Sequence, residues 1–254
     1  MRKNKTKEKL LRGEPVFGAF LTMNCQYAID VMGKLGYDFV IIDCEHGPMT
    51  ETEAETLIWA CDSAGVTPIV RVPDNVPAVI LRYLDRSPLG VQIPHTNTKA
   101  DWERAARASR YYPEGNRGFA NMRPIDVTGT VTEWARDFNR ELLVIGHVEE
   151  TTAVEHLDEI LTVPGIDVFF VGPGDLSQSM GYVGQMFHPE VKKVVANCVK
   201  KINAAGKIAG FVSNADNVKE YMDLGVKYFA EWAGGWLMDG ATRYINTARS
   251  GMKK

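Results

Sequence analysis

The strongest indication of the fold is the segment Phe39-Val40-Ile41-Ile42-Asp43-Cys44-Glu45-His46. Its first four residues form a continuous apolar run, which is typical of a buried parallel strand. The run ends in ionisable side chains that suit acid, base and metal chemistry. Two later apolar runs end in the same way, one at Glu149 and one at Gly172-Pro173-Gly174-Asp175. Charges gathered at the carboxyl ends of several strands indicate the site edge of an α/β enzyme.

An alternation of strand-like and helix-like segments extends along the chain. New strands follow helix-stop signals at Gly65, Gly206 and Gly225, where a C-terminal glycine is usual. Eight such units in 254 residues predict one (β/α)8 TIM barrel over residues 1–254, rather than an open doubly wound sheet. The strands are predicted to begin near Val16, Asp38, Thr67, Gly90, Leu142, Asp167, Lys207 and Lys227, and the helices to cover Glu51–Ala64, Val76–Leu84, Asp101–Arg110, Thr152–Leu161, Glu190–Ala205, Asn217–Leu224 and Leu237–Ser250.

The composition is that of an ordinary globular protein, with 45% hydrophobic and 24% charged residues. A net charge of -3, without a basic run mixed with aromatic residues, argues against nucleic-acid binding. The basic residues near the start are not followed by the apolar core of a signal peptide. No stretch approaches the roughly 20 apolar residues that span a bilayer. We therefore expect a cytoplasmic protein without a membrane partner.

The four cysteines are widely separated and form no C-x-x-C pair. This pattern favours reduced, individual thiols over a disulfide or zinc framework. Cys44 lies among candidate catalytic residues, where a nucleophilic thiol is conceivable. Alternation along an extended segment instead favours a side chain that faces away from Asp43 and Glu45.

Glu149 and Asp175 are the first candidates for metal binding, because each follows a predicted strand at the same end of the barrel. Two carboxylates with open positions suit Mg²⁺ or Mn²⁺, which keep several waters. In the alternative interpretation, Glu149 begins the next helix and Asp175 caps another. The intervening Gly172-Pro173-Gly174 turn slightly favours ligand binding, since its free backbone N–H groups can approach an anion closely.

His46, Arg71 and His147 each leave two interpretations open. His46 can form a catalytic dyad with the nearby Asp43, or it is an inert loop histidine. Arg71 closes a predicted strand and can clamp a substrate carboxylate, or it pairs with a neighbouring acid. His147 and Glu149 are two residues apart and face the same side of a strand. That spacing suits a metal site, but a core histidine that is hydrogen-bonded by the next strand is at least as well supported.

Two further segments follow predicted strands. His95 comes after the fourth strand and is expected at the mouth of the barrel. The aromatic segment Trp232–Trp236 can floor a pocket, but packing between the barrel and a helix is the favoured interpretation. Neither segment alone indicates a particular chemistry.

Together these segments resemble the HpcH/HpaI family of metal-dependent, class II pyruvate aldolases. The resemblance covers nearly the whole chain, from about Val16 to Ala248. Of the motifs that carry it, the one that begins at Gly172 is specific. It is carried by Asp43-x-Glu45-His46, Arg71-x-Pro73, Tyr112-Pro113-x-Gly115-x-Arg117-Gly118, Glu149-x-Thr151 and Gly172-Pro173-Gly174-Asp175-Leu176-Ser177.

The resemblance implies a barrel of the phosphoenolpyruvate/pyruvate type that cleaves a 4-hydroxy-2-oxo acid. The products would be pyruvate, or a related 2-oxo acid, and an aldehyde, formed through a metal-stabilised enolate. Glu149 and Asp175 match the ligands of a divalent cation, with Mg²⁺ or Mn²⁺ expected and Co²⁺ as a further candidate. His46 matches the catalytic histidine, and Asp43 matches its partner.

The resemblance also implies the substrate contacts and the assembly. Arg71 matches the arginine that holds the substrate carboxylate and keto oxygen, with the backbone at Gly174 and Asp175 assisting. Asp85 matches an acid that reaches the site of a neighbouring subunit. Phe20 falls where some relatives have a pocket tryptophan. The expected assembly is a homohexamer built as a dimer of trimers, or a homotrimer.

Several departures from the family pattern leave the substrate and the reaction open. His147, counted here among the substrate-binding residues, stands where the family commonly has glutamine. Ser87-Pro88 replaces a Gly-Ala pair, and Glu231–Gly235 replaces a frequent Gly-Ser/Ala-Asp segment. The alternatives are an oxaloacetate-type decarboxylase, an acyl-CoA lyase acting on malyl-CoA or citryl-CoA, and a barrel that binds an oxo acid without turning it over.

Overall fold

A computed structural model describes residues 2–120, 123 and 129–252 of the chain. Eight parallel strands close into a barrel in chain order, with β1 paired to β8, which confirms the (β/α)8 TIM barrel. The strands are β1 (Val16–Leu21), β2 (Phe39–Asp43), β3 (Thr67–Arg71), β4 (Gly90–Ile93), β5 (Leu143–Val148), β6 (Val168–Val171), β7 (Ile208–Val212) and β8 (Tyr228–Trp232). The helices among the described residues are α1 (Lys5–Leu11), α2 (Gln26–Leu35), α3 (Glu51–Ala64), α4 (Pro77–Leu84), α5 (Lys99–Ser109), α6 (Val131–Glu141), α7 (Thr151–Glu155), α8 (Leu157–Ile160), α9 (Pro173–Ser179), α10 (Pro189–Ala204), α11 (Val218–Leu224) and α12 (Ala233–Ser250).

The strand predictions are confirmed to within one residue at every start, because the buried apolar runs are local signals. The helix predictions are less complete. The predicted helix Thr152–Leu161 is two short helices, which meet at His156. Helices α1, α2, α6 and α9 are absent from the predicted set. A capping box between Thr130 and Glu133 begins α6 and is a signal that would have revealed that helix.

The barrel interior is filled by large side chains, and its amino end is closed. Phe39 and Tyr228 stack across the interior with ring centroids 4.3 Å apart. Leu10 of α1 packs into the same interior cluster, so α1 covers the amino ends of the strands. The Asn4 side-chain amide donates a hydrogen bond to the Leu89 carbonyl oxygen at 2.8 Å, which attaches the start of α1 to the barrel. The carboxyl ends of the strands therefore form the open end of the barrel.

The last helix, α12, leaves the barrel surface after its first turn. Every residue from Leu237 to Ser250 is exposed, including several apolar side chains. Helices of a (β/α)8 barrel normally form a complete outer ring. Here the outer face of β1 and β8 instead borders a cavity of about 260 Å³, lined in part by Phe17, Val218 and Phe229. None of the described helices combines the length and hydropathy needed to cross a membrane.

Candidate active site

The carboxyl ends of the strands surround a cavity of about 350 Å³. Asp85 lies outside it, at the end of α4, where its carboxylate accepts a hydrogen bond from Arg117 at 3.0 Å. The other residues proposed from the sequence line the cavity together: Phe20, Asp43, His46, Arg71, His147, Glu149, Gly174 and Asp175.

Arg71 and Asp43 form a buried ion pair at the base of this cavity. The parallel register places them side by side on β2 and β3, and Nε and Nη2 of Arg71 lie 2.9 and 2.5 Å from the two Asp43 oxygens. Nη1 of Arg71 lies 3.0 Å from Glu45, and the guanidinium stacks over Phe20. Burial alone would lower the pKa of Arg71, but these carboxylates raise it. The guanidinium is thus held as a fixed positive charge.

No hydrogen bond joins the His46 ring to Asp43 among the described residues, so the dyad stays a prediction. Oδ1 of Asp43 instead accepts the backbone N–H groups of Glu45 and His46, each at 3.2 Å. Both carboxylate oxygens also accept hydrogen bonds from Arg71. The His46 ring makes no hydrogen bond to any described residue and faces the cavity. Asp43 therefore positions His46 through the backbone of the loop.

Glu149 is buried, and both of its oxygens are hydrogen-bonded. Oε1 accepts the backbone N–H of His95 at 2.9 Å, and Oε2 lies 2.5 Å from Nδ1 of His147. Burial would raise the pKa of Glu149, but attraction to His147, the bond to its ring and the His95 N–H together lower it to about 2. Glu149 is consequently a carboxylate at neutral pH, with lone pairs left for a ligand.

A chain of hydrogen bonds behind Glu149 crosses the barrel interior. Nε2 of His147 lies 2.6 Å from the Gln92 amide nitrogen, so the amide donates to the ring and the ring donates from Nδ1 to Glu149. The Gln92 oxygen accepts from the Tyr228 hydroxyl at 3.3 Å. The sequence analysis missed Gln92. Its signal was a polar residue inside the apolar strand β4.

His95 contributes through its backbone. Its φ of 55° lies in the left-handed region, which is uncommon outside glycine and is often found at functional sites. This conformation accompanies the N–H bond to Glu149. The half-exposed ring lies 3.4 Å from Glu45 and 3.8 Å from Glu150. The mouth position was predicted, but the left-handed backbone has no signature in the sequence.

Asp175 is the second carboxylate suited to a cation. It lies in the first turn of α9, whose N-cap is Gly172, and its side chain makes no hydrogen bond or ion pair with any described residue. The alternative interpretation, in which Glu149 and Asp175 begin or cap helices, is wrong. The N-cap of α7 is Glu150 and that of α9 is Gly172, and neither helix has a side-chain cap hydrogen bond. The described residues contain no group of three or more His, Cys, Asp or Glu side chains arranged around a metal. Two carboxylates fit a hard cation that completes its coordination with water and substrate oxygens.

The two tryptophans of the Trp232–Trp236 segment have different surroundings. Helix packing, the favoured interpretation of Trp232–Trp236, is wrong for Trp232, which lines the cavity at 52% exposure. It is confirmed for Trp236, which packs edge-on against Tyr37.

Cys44 is buried beside Tyr83, and burial with the Asp43 charge raises the pKa of its thiol to about 12. A thiol of that pKa is a poor nucleophile, which agrees with the favoured interpretation of Cys44.

Known proteins that are similar to this chain in sequence and in structure point to the same family. A sequence model of the HpcH/HpaI aldolase/citrate lyase family matches residues 17–233. The hydroxypyruvate/pyruvate aldolase of Roseobacter denitrificans is 32% identical over 230 residues, which cover 89% of this chain and 90% of that protein. The 2-keto-3-deoxy-L-rhamnonate aldolase of Shigella sonnei is 34% identical over 229 residues, covering 89% and 86%. The crystal structure of an HpcH/HpaI aldolase/citrate lyase family protein from Burkholderia cenocepacia superimposes with a TM-score of 0.90 at 28% identity, covering 97% of this chain and 100% of that one.

Proposed function

The chain belongs to the HpcH/HpaI aldolase/citrate lyase family, and we propose that it cleaves a 4-hydroxy-2-oxo acid with the help of a divalent cation. It is an enzyme of the aldolase type, a carbon–carbon lyase. The proposed products are pyruvate, or a related 2-oxo acid, and an aldehyde. The proposed cation is Mg²⁺ or Mn²⁺, with Co²⁺ as a further candidate.

One observation carries this proposal. A buried carboxylate with a pKa of about 2, Glu149, lines the same cavity as the guanidinium of Arg71 and the carboxylate of Asp175, which has no partner in the described part of the chain. Two anionic groups and one cationic group around one cavity suit a cation together with an anionic oxo acid. A cation held by Glu149 and Asp175 would act as a Lewis acid that stabilises enolate charge on the substrate.

Arg71 has donors left to hold the substrate. Its hydrogen bonds with Asp43 use two of the five guanidinium N–H groups, so donors remain for the carboxylate and keto oxygen of a 2-oxo acid beside the ion pair with Glu45. The backbone N–H groups at Gly174 and Asp175 belong to the first turn of α9 and have no intrahelical acceptor. They are proposed to assist in binding the carboxylate.

His46 is the proposed base. Its ring faces the cavity without a hydrogen-bond partner among the described residues, so a ring nitrogen can accept the proton of the substrate C4 hydroxyl. As the proton leaves, the C3–C4 bond breaks, the C4 oxygen forms the aldehyde carbonyl, and the electron pair passes to the pyruvate unit. Protonation at C3 then completes the cleavage.

We also propose that copies of the chain associate, as a homohexamer or a homotrimer. An exposed helix α12 with Leu237 and Ile245 on one face, and an uncovered apolar cavity over β1 and β8, support this proposal. Each surface would be covered by a second copy of the chain. Asp85, which lies outside the cavity of its own chain, is proposed to serve the cavity of a neighbouring copy.

Proton exchange of pyruvate in D₂O, followed by ¹H NMR, tests the proposed function. The metal-stripped protein should leave the methyl signal intact, and added Mg²⁺ or Mn²⁺ should cause the signal to decay. Glu149→Gln should abolish the decay, while Glu150→Gln, its neighbour outside the cavity, should retain it. Absence of exchange with Mg²⁺, Mn²⁺ and Co²⁺ would contradict the proposal and favour a barrel that binds without turnover or acts on another substrate.

A further inference from the structure

We propose that Trp232 selects the aldehyde, favouring aldehydes with an apolar body over polyhydroxylated ones. This inference rests on the proposed function and names the class of its second product. Trp232 follows β8 at the cavity mouth, and 52% of its side chain is exposed. A large apolar ring left in solvent beside charged groups marks a contact surface for a ligand.

The Trp232 ring is held in place by its surroundings. Its Nε1–H donates to Oγ1 of Thr22 at 3.1 Å, which anchors one edge of the indole. The ring carbons next to that nitrogen lie against Gly234, where a Cβ atom would come within 2.4 Å of Cζ2. Only glycine at that position lets the ring lie so close to the backbone. The indole is thus fixed as a wall before any ligand binds, which lowers the entropic cost of using it.

The cavity is divided into an apolar half and a charged half by the order of the strands. Phe170, Val212, Trp232 and Phe20 come from the four consecutive strands β6, β7, β8 and β1. Phe20 and Phe170 pack edge to face with centroids 5.8 Å apart.

The charged side chains Asp43 and Arg71 come from β2 and β3, on the other side of the barrel, Glu149 follows β5, and Asp175 follows β6 at the boundary between the two halves. An oxo acid bound to Arg71 therefore occupies the charged half. The body of the aldehyde is left to the apolar half.

Hydroxyl groups on the aldehyde would find few partners in that apolar half. The Trp232 N–H is already donated to Thr22. A hydroxyl that loses water without gaining a hydrogen bond costs free energy, whereas an alkyl or aryl group gains from burial. The wall therefore discriminates against a polyhydroxylated chain.

The test compares aldol addition of pyruvate to benzaldehyde and to D-glyceraldehyde. In each reaction, C3 of pyruvate loses a proton and bonds to the aldehyde carbon, whose oxygen takes up a proton. The measured quantity is the ratio of kcat/KM for benzaldehyde to kcat/KM for D-glyceraldehyde. We expect Trp232→Ala to lower this ratio about tenfold, in line with the loss of an apolar pocket contact. Trp59→Ala, which removes a tryptophan of similar exposure outside the cavity, should leave the ratio unchanged.

Gly234→Ala provides a second variant that keeps the tryptophan. The added methyl group must displace the ring, so the selectivity ratio should fall in the same direction as in Trp232→Ala. An unchanged ratio in folded Trp232→Ala or in Gly234→Ala would overturn the inference. Absence of metal-dependent pyruvate exchange in the unaltered protein would instead overturn the proposed function, so the two failures are distinguishable.

Discussion

Nδ1 of His147 lies 2.5 Å from Oε2 of Glu149, and this bond fixes the buried carboxylate that is proposed to hold a cation. The ring cannot rotate freely, because its Nε2 accepts from Gln92 at 2.6 Å. Partners that orient a metal ligand in this way tune its affinity for the metal. Gln92 is therefore a positioning residue, although it lies below the cavity.

Gln92→Met should weaken metal binding while preserving the volume of the core. Without the amide donor, the His147 ring loses its fixed orientation, and the Kd for Mn²⁺ should rise about ten- to a hundredfold. Titration of Mn²⁺ followed by electron paramagnetic resonance measures this directly. Tyr228→Phe removes only the weaker bond at 3.3 Å to Gln92 and should change the Kd much less. Equal Kd values for Gln92→Met and the unaltered protein would refute the positioning role.

Acidification should destabilise the metal-free protein through Glu149. Because its pKa is lowered from an ordinary 4.5 to about 2, the carboxylate contributes stability above pH 4.5 that is lost as the pH falls towards 2. The full contribution is about 3 kcal/mol, from the size of the pKa change. Urea unfolding from pH 5 to pH 3 should show a shallower pH dependence for Glu149→Gln than for the unaltered protein. Glu150→Gln serves as the control, and a parallel pH dependence in Glu149→Gln would contradict the expectation.

Asp43→Asn should destabilise the barrel and weaken substrate binding together. The substitution leaves the buried Arg71 guanidinium without its main counter-charge, which costs about 3–5 kcal/mol for a buried pair. Without Asp43 to orient it, the Arg71 guanidinium should hold the oxo acid less well, which raises the KM. Urea unfolding and steady-state kinetics measure the two effects. An unchanged KM with an altered kcat alone would instead favour a dyad between Asp43 and His46.

Mixing two inactive variants tests whether Asp85 serves a neighbouring copy. His46→Ala and Asp85→Ala are each expected to be inactive alone. When the two are unfolded together and refolded, a mixed assembly can contain some cavities with both residues intact, so part of the activity should return. Refolding each variant separately is the control. Persistent inactivity of a mixture shown to co-assemble would place the role of Asp85 within its own chain.

Charge on the apolar face of α12 should dissociate the assembly. Leu237 and Ile245 lie on one side of the helix, with exposures of 63% and 40%. Leu237→Asp combined with Ile245→Asp should shift the mass measured by light scattering towards the monomer, because burying the new carboxylates is costly. Asn246→Asp, on the opposite side of the helix, should leave the mass unchanged. An unaffected mass in the double variant would show that this face of α12 makes no subunit contact.

The strands and the chemistry at their ends were predictable from local sequence patterns. Apolar runs such as Phe39–Ile42 are local, so their boundaries were predictable to within a residue. Charged side chains that follow such runs must meet at one end of a parallel barrel, whatever their separation along the chain. Family resemblance then assigned roles to Glu149, Asp175 and Arg71 without any coordinates.

The partner that each side chain takes depends on the folded barrel and could not be predicted from local patterns. Asp43 lies three residues before His46 in sequence, yet the parallel register places Arg71 against it, and both of its oxygens accept from that guanidinium. Gln92 gained its contact with His147 across neighbouring strands, and Trp232 turned into the cavity because Thr22 and Gly234 hold its ring. Strand formation depends on neighbouring residues, whereas pairing depends on competition among groups that only the closed barrel brings together.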